Sequence, residues 1–301
     1  MKVERLSGTI ISIPWDDHEL LALLHNIVTH EEHLMNKPVI LRLHGALGNL
    51  LDETEHDLPS ALAGGGYSSM TINTLLGNVS LFFGFGIFEE VIPQIDAAFA
   101  FLRRSGFKKI VLAGHGLGSC MALRYAALRA DPDKYPDLVG VISISTPYSL
   151  VQTVRKKWER FNSEPSYDEI CQRAKRVLQP QPGEERLNDE IILVKRAHGR
   201  TYRPEHTEVY TLKTWWALLG PEAKGTRNYE NIARIKTPIL LIHGLQDDMI
   251  DYGEFEELAQ IAKNAGNSDV MKLALDADHS MKGKHHELGR SIIDWMVGRF
   301  E

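Results

Sequence analysis

Residues 110–119 have the sequence IVLAGHGLGS, and this stretch decides the fold. Four apolar residues come first, then glycines at positions 114, 116 and 118, and then small residues that lead into a helical pattern from Met121 to Ala130. Closely spaced glycines allow a tight turn and a close approach of two backbones. The stretch therefore predicts a buried strand, a sharp turn and a helix packed against that strand.

Further apolar runs follow the same plan, each closed by a glycine or proline turn and followed by a helical pattern. They are Val39–Leu43, Ile110–Ala113, Leu138–Ser145 and Ile239–Ile242. Nearly continuous apolar strands are typical of a parallel sheet that is covered on both faces. Residues 5–13 and 66–72 alternate in polarity and predict two more strands. We expect an α/β fold with a doubly wound, mostly parallel sheet.

The pattern changes between Tyr148 and Arg234, where the apolar strand runs stop and charged residues become frequent. This segment lies between one predicted core strand and the next. We predict a core formed by residues 1–147 and 235–301, and a mostly helical cap, or lid, at 148–234. The cap is expected at the carboxyl edge of the sheet, where ligands of open α/β sheets bind.

Three other motifs surround the central turn. Residues 43–49 are LHGALGN, residues 239–248 are ILLIHGLQDD, and residues 273–280 are LALDADHS. With the turn at 114–118, these motifs resemble the α/β-hydrolase superfamily of esterases, lipases and thioesterases. The resemblance covers residues 38–280, which leaves the cap segment without a motif.

The resemblance implies a role for each motif. The family's G-x-S-x-G nucleophile elbow maps onto residues 114–118, so that Gly116 occupies the nucleophile position in place of serine. The triad acid maps onto Asp247, with Asp248 as a neighbouring candidate, and the triad base maps onto His279. The oxyanion-hole donors map onto the backbone N–H groups of Ala46 and Leu117.

Glycine supplies no attacking atom, and three hypotheses follow for the function. The chain is a hydrolase of a carboxylic ester, thioester or lactone whose serine has been replaced. Alternatively, His279 and Asp247 form a general-base pair that works without a nucleophile, as a lyase, as an isomerase or by direct activation of water. In the third hypothesis the chain binds a ligand and has no catalytic activity.

Two nearby nucleophiles and one histidine have simpler explanations. Ser119 and Cys120 follow the turn by about one helical turn, which predicts that they pack inside the helix interface. His44 is expected to support its loop rather than to react.

Aromatic residues in the cap and before the helix that starts near Phe88 predict an apolar or aromatic acyl group. We expect Trp158, Trp215 and Phe85 to bind it. The basic run of residues 155–157 is interpreted as a solvated helix face, although it could also neutralise an anionic substrate.

Composition limits the possible partners of the chain. It has 301 residues, 34 Lys plus Arg against 40 Asp plus Glu, and a formal net charge of -6, which disfavours nucleic acid and anionic membranes as partners. No apolar run reaches the length of a membrane span. The amino terminus does not resemble a secretory signal, and two cysteines do not form a disulfide framework. We expect a cytoplasmic protein with a small-molecule substrate, no cofactor and no metal, and the sequence does not predict its oligomeric state.

Overall fold

A computed structural model describes residues 8–25, 37–46, 48–78, 86–178, 190–198 and 201–300. Its centre is an eight-stranded sheet with the order β1-β2-β4-β3-β5-β6-β9-β10. Strands β1 and β2 are antiparallel to each other, β2 is antiparallel to β4, and the remaining neighbours are parallel. The strands of this sheet are β1 Thr9–Trp15, β2 His18–His25, β3 Val39–Leu43, β4 Ser69–Ile72, β5 Ile110–His115, β6 Leu138–Ile144, β9 Ile239–Gly244 and β10 Val270–Leu275.

Helices cover both faces of the sheet. They are α1 Glu53–Gly64, the short 3-10 helix Phe88–Glu90, α2 Val91–Arg104, α3 Leu117–Leu128, α8 Tyr252–Asn264 and α9 His285–Phe300. The predicted doubly wound, mostly parallel sheet is confirmed. Strand β2 was not predicted.

Successive residues of each central strand point to opposite faces of the sheet. Val111 packs in one buried cluster with Leu62 of α1 and Trp295 of α9. Its neighbour Leu112 packs in the other cluster with Phe99 of α2. Because both faces are buried, the strands have no polar alternation, and this explains why apolar runs identified them.

The turn after β5 brings helix α3 very close to two strands. A Cβ atom built at Gly114 would overlap the carbonyl oxygen of Gly118, and one built at Gly118 would overlap the carbonyl oxygen of Leu43. Both positions therefore require glycine for steric reasons, and the glycine spacing seen in the sequence has a structural cause.

We expect Gly114→Ala to lower the free energy of unfolding by about 1–3 kcal/mol or more, because the backbone must move to admit the methyl group. Gly298→Ala is the matched control, since a Cβ at this exposed helical position meets nothing within 4 Å. That change should stabilise helix α9 by up to about 1 kcal/mol. Urea unfolding of both variants measures the difference, and equal effects would contradict the packing described here.

The segment between β6 and β9 contains helices and a hairpin. Its elements are α4 Leu150–Arg160, α5 Tyr167–Leu178, β7 Ile191–His198, β8 Thr201–Thr211, α6 Leu212–Leu219 and α7 Asn228–Ile232. Strands β7 and β8 pair in antiparallel fashion, and the sequence analysis did not predict this hairpin. Ile192 and Val194 of β7 are buried whereas Ile191 and Leu193 are exposed, which is the alternation of a strand with one covered face.

Helix α7 contacts helix α3 of the core and also the start of this segment, where Tyr229 stacks on Tyr148. The Asn228 side-chain amide donates hydrogen bonds to the carbonyl oxygen of Pro147, at 2.8 Å, and to the sulfur of Cys120 in α3. The cap at 148–234 stays a prediction.

Among the helices within the described ranges, none has the length and apolar character needed to cross a bilayer.

Candidate active site

Three loops at the carboxyl edge of the sheet bring the predicted reactive residues together. Gly116 follows β5, Asp247 follows β9 and His279 follows β10. Parallel neighbouring strands end at the same edge, so residues that are far apart in sequence meet in space. The order of these strands explains why the sequence motifs converge.

Gly116 adopts a backbone conformation that other residues rarely adopt. Its φ is 55° and its ψ is -113°, and it directly precedes helix α3. Its N–H group donates a hydrogen bond of 2.9 Å to the carbonyl oxygen of Ile144, which fixes the turn to β6. The next N–H group, that of Leu117, lies in the first turn of α3, where no intrahelical acceptor exists.

Asp247 is hydrogen-bonded to the imidazole of His279. Its side chain is 0% exposed, and its Oδ2 lies 2.9 Å from His279 Nδ1. Its other oxygen, Oδ1, accepts hydrogen bonds from the backbone N–H groups of Met249, at 2.8 Å, and Ile250, at 2.9 Å. Asp248 is exposed instead, so the structure brings only Asp247 of the two to the histidine.

The charge of Asp247 is stabilised by its partners. Burial acts to raise the pKa of this carboxyl, but the hydrogen bond and charge of His279 and the two backbone N–H groups outweigh burial and lower the pKa. The carboxylate is therefore ionised at neutral pH and accepts the proton of His279 Nδ1. This arrangement leaves His279 Nε2 as the acceptor nitrogen of the ring.

His279 Nε2 faces Gly116. A Cβ atom built at position 116 would lie 3.4 Å from this nitrogen, which is an ordinary van der Waals contact. The carbonyl oxygen of His279 accepts hydrogen bonds from His115 Nε2, at 2.7 Å, and from Ser145 Oγ, at 3.0 Å. These two bonds, which the sequence did not predict, fix the loop that carries the imidazole.

The loop after β3 lies beside the same site. Ala46 is exposed and lines the cavity, whereas His44 is buried. His44 Nε2 accepts a hydrogen bond of 3.1 Å from the Thr74 N–H group, so its Nδ1 carries the proton and donates to the carbonyl oxygen of Gly45 at 2.9 Å. His44 thus has the loop-supporting position that the sequence predicted.

A cavity of about 450 Å³ opens above Gly116 and His279. Ala46 and Leu117 line it from the core, and Trp158 lines it from α4. Apolar atoms supply most of its surface. A cavity of this size and character is suited to a small organic ligand.

The prediction that Trp215 binds substrate is not supported by its position. Trp215 is fully buried and packs edge to face against Trp158, with the two ring centroids 6.1 Å apart. The neighbouring positions Thr214 and Leu218 of α6 line the cavity instead. Trp215 therefore lies behind the residues that line the cavity. The third residue predicted to bind substrate, Phe85, lies outside the described residues.

The interpretation of residues 155–157 as a solvated face is wrong at one position. Arg155 and Lys156 are exposed, but Lys157 is buried and lines the cavity. Leu150, Val154 and Lys157 have the spacing of one helical face, a signal that was present in the sequence. Glu208 and Tyr210 of β8 also line the cavity, and the Tyr210 hydroxyl donates to Glu208 Oε2 at 2.7 Å.

Ser119 and Cys120 have the packing positions predicted for them. The Ser119 hydroxyl donates to the carbonyl oxygen of Gly116 at 2.5 Å. Cys120 is fully buried, and burial raises the pKa of its thiol to about 12, so that it stays protonated and unreactive. Neither side chain substitutes for the missing hydroxyl at position 116.

Comparison with known proteins agrees with this architecture. The family model described as alpha/beta hydrolase fold matches residues 38–280, so the chain belongs to the alpha/beta hydrolase family. No curated protein sequence is similar enough to count as a match.

Solved structures share the fold at low sequence identity. The Pyrococcus furiosus esterase Pf2001 is similar with a TM-score of 0.68 and 14% identity, over 98% of this chain and 92% of that one. Est1E from Butyrivibrio proteoclasticus with bound ferulic acid has a TM-score of 0.65 and 14% identity, over 96% and 98% of the two chains. A thioesterase domain from the curacin biosynthetic pathway has a TM-score of 0.58 and 13% identity, over 97% and 100%.

Proposed function

We propose that the chain binds and hydrolyses a carboxylic ester, thioester or lactone at a Ser-His-Asp-type site in which glycine occupies the nucleophile position. One observation carries the proposal. A side chain at position 116 would begin 3.4 Å from His279 Nε2, while His279 Nδ1 is held by Asp247 at 2.9 Å. The base and its orienting acid thus have the geometry that a nucleophile at this position requires.

With glycine at position 116, the attacking atom comes from water. His279 Nε2 accepts a proton from the water as its oxygen bonds to the carbonyl carbon of the substrate. The Ala46 and Leu117 N–H groups stabilise the negative charge on the carbonyl oxygen. His279 then returns the proton to the departing alkoxide or thiolate, which gives a carboxylic acid and an alcohol or thiol.

The lining of the cavity supports an apolar or aromatic acyl group. Trp158, Leu150 and Val154 present apolar surface from α4, and Leu75 and Leu76 present it from the core. Esterase and thioesterase structures share this fold, and one of them contains an aromatic acid, ferulic acid. We assign selection of the acyl group to the segment that begins with α4, in the role of a cap.

Glycine at position 116 also suits a second candidate. An enzyme that uses only the His279 and Asp247 pair, as a lyase or isomerase, needs space next to the base and no hydroxyl. Both candidates assign proton transfer to His279, and substitution of Gly116 distinguishes them.

The proposal assigns the orienting role to Asp247 and none to Asp248. We expect Asp247→Asn to lower the rate of ester hydrolysis by about 10²–10⁴-fold, because the amide no longer stabilises the imidazolium that forms. The matched change Asp248→Asn alters an exposed side chain and should leave the rate within about twofold of the parent. Initial rates on a panel of esters, thioesters and lactones measure both, and equal loss in the two variants would contradict the assignment.

A further inference from the structure

Lys157 places a positive charge in the wall of an otherwise apolar part of the cavity. It lies on α4 between Val154 and Trp158, which also line the cavity, and its side chain is only 8% exposed. Lysine is rarely buried to this extent without acceptors for its ammonium group. The described residues provide one such acceptor, Asp251 Oδ1 at 2.7 Å.

This single ion pair leaves hydrogen-bonding capacity at the ammonium group. An ammonium carries three N–H donors, and Asp251 accepts from one of them. The Asp251 side chain is 55% exposed and can bind water, while the buried lysine has little access to bulk water. The cavity that Lys157 lines is therefore the space from which a further acceptor can reach it.

The ion pair stabilises the ionised form of Asp251. The hydrogen bond from Lys157 lowers the pKa of Asp251, and burial opposes this effect only in part. Lys157 lines the same cavity as Met249 and Ile250, which follow Asp247 in the loop after β9. Gly116 and His279 also line this cavity, so Lys157 and the reacting centre face one shared space.

Another charge lies in the same cavity. Glu208 of β8 lines it, with its carboxylate held by the Tyr210 hydroxyl. A carboxylate of a ligand would be repelled by Glu208 and attracted by Lys157. The two residues therefore restrict where in the cavity an anionic group can bind.

We propose that Lys157 determines substrate specificity by binding a carboxylate that the substrate carries at a distance from its scissile ester. This inference rests on the proposed function and specifies its substrate class as monoesters of dicarboxylic acids. A hydrogen bond between charged partners in a water-poor site strongly favours the ligand that supplies it. A neutral ester of the same length would leave the Lys157 ammonium with Asp251 as its acceptor and would add no charged partner from the cavity.

Binding can be measured by the intrinsic tryptophan fluorescence of the chain, to which Trp158, a residue that lines the cavity next to Lys157, contributes. The probes are monomethyl succinate, glutarate, adipate and suberate, each compared with a neutral methyl ester of matched length. We expect at least one monoanionic ester to bind about tenfold or more tightly than its neutral counterpart.

Three variants separate recognition of the ligand from a structural role. Lys157→Met should remove the preference for the anionic ester. Methionine is expected to be tolerated because its apolar side chain has a similar length and because the Asp251 carboxylate that loses its partner is 55% exposed and can bind water. Lys156→Met changes the net charge equally at an exposed position and should keep the preference. Asp251→Asn removes the negative charge that competes with the ligand for Lys157 and should keep or increase the preference.

Each outcome of these measurements either supports the inference or overturns it. Loss of the preference in Lys157→Met, with retention in Lys156→Met and Asp251→Asn, supports the inference. A preference that survives Lys157→Met, or equal loss in Lys157→Met and Asp251→Asn, overturns it, as does a parent chain that binds neutral esters equally well. If the parent binds no ester and the serine variant at position 116 hydrolyses none, the proposed function itself fails.

Discussion

His279→Ala is expected to reduce hydrolysis to the uncatalysed background, a loss of about 10²–10⁴-fold. The imidazole is the group that accepts and returns the proton, and alanine leaves Asp247 with no partner that can transfer one. Initial rates on the best substrate of an ester, thioester and lactone panel measure the loss.

His286→Ala is the matched control for this experiment. His286 lies on the exposed side of α9, and its replacement should leave the rate unchanged. Unchanged turnover in His279→Ala would place the chemistry elsewhere in the molecule. A loss that His286→Ala shares would indicate a general effect on folding.

Gly116→Ser is expected to raise ester hydrolysis by about 10³-fold or more and to produce a burst of acyl-enzyme formation. The new hydroxyl would lie within reach of His279 Nε2, because a Cβ at this position lies 3.4 Å from that nitrogen. The serine variant should also be less stable by about 1–3 kcal/mol, since a φ of 55° with a ψ of -113° is costly for any residue with a side chain.

Gly116→Ala separates the two effects in this experiment. Alanine introduces the same backbone strain as serine without a hydroxyl, so it should match the serine variant in stability and show no gain in hydrolysis. Stopped-flow release of a chromogenic alcohol and urea unfolding measure the two quantities. A folded serine variant that hydrolyses no member of the panel would favour the second candidate, a lyase or isomerase.

The central sheet could be predicted because both of its faces are buried. Burial on both faces makes β5 and β9 continuous apolar runs, and the close packing of α3 on β5 and on β3 imposes glycine at positions 114 and 118. Such constraints act on short stretches of sequence, so they are visible without a structure.

Other features depend on contacts between segments that are far apart in the sequence, and a local sequence pattern does not predict such contacts. Asp247 and Asp248 are equivalent in sequence, and the turn after β9 decides that the first is buried against His279 while the second is exposed. Lys157 resembles its exposed neighbours in sequence and is buried only because α4 packs beside the loop that carries Asp251.

The hairpin β7–β8 and the position of Trp215 were missed for related reasons. Residues 191–194 of β7 are all apolar, so their sequence shows no alternation of polarity even though Ile191 and Leu193 are exposed and Ile192 and Val194 are buried. Trp215 has the size and character of a residue that binds an acyl group, but helix α6 turns its ring toward Trp158 and Tyr167 instead of the cavity. The residue type alone does not indicate whether a side chain on a helix faces the cavity or the interior of the protein.

The central claim is that position 116 is a nucleophile position served by His279. Intact-mass and peptide-mapping mass spectrometry of the Gly116→Ser variant after treatment with a fluorophosphonate tests it most directly. We predict one adduct, located at position 116, that is absent from the parent chain and is lost when His279→Ala is added. A correctly folded variant with no adduct, or with the adduct at Ser119 or Ser280, would contradict the account.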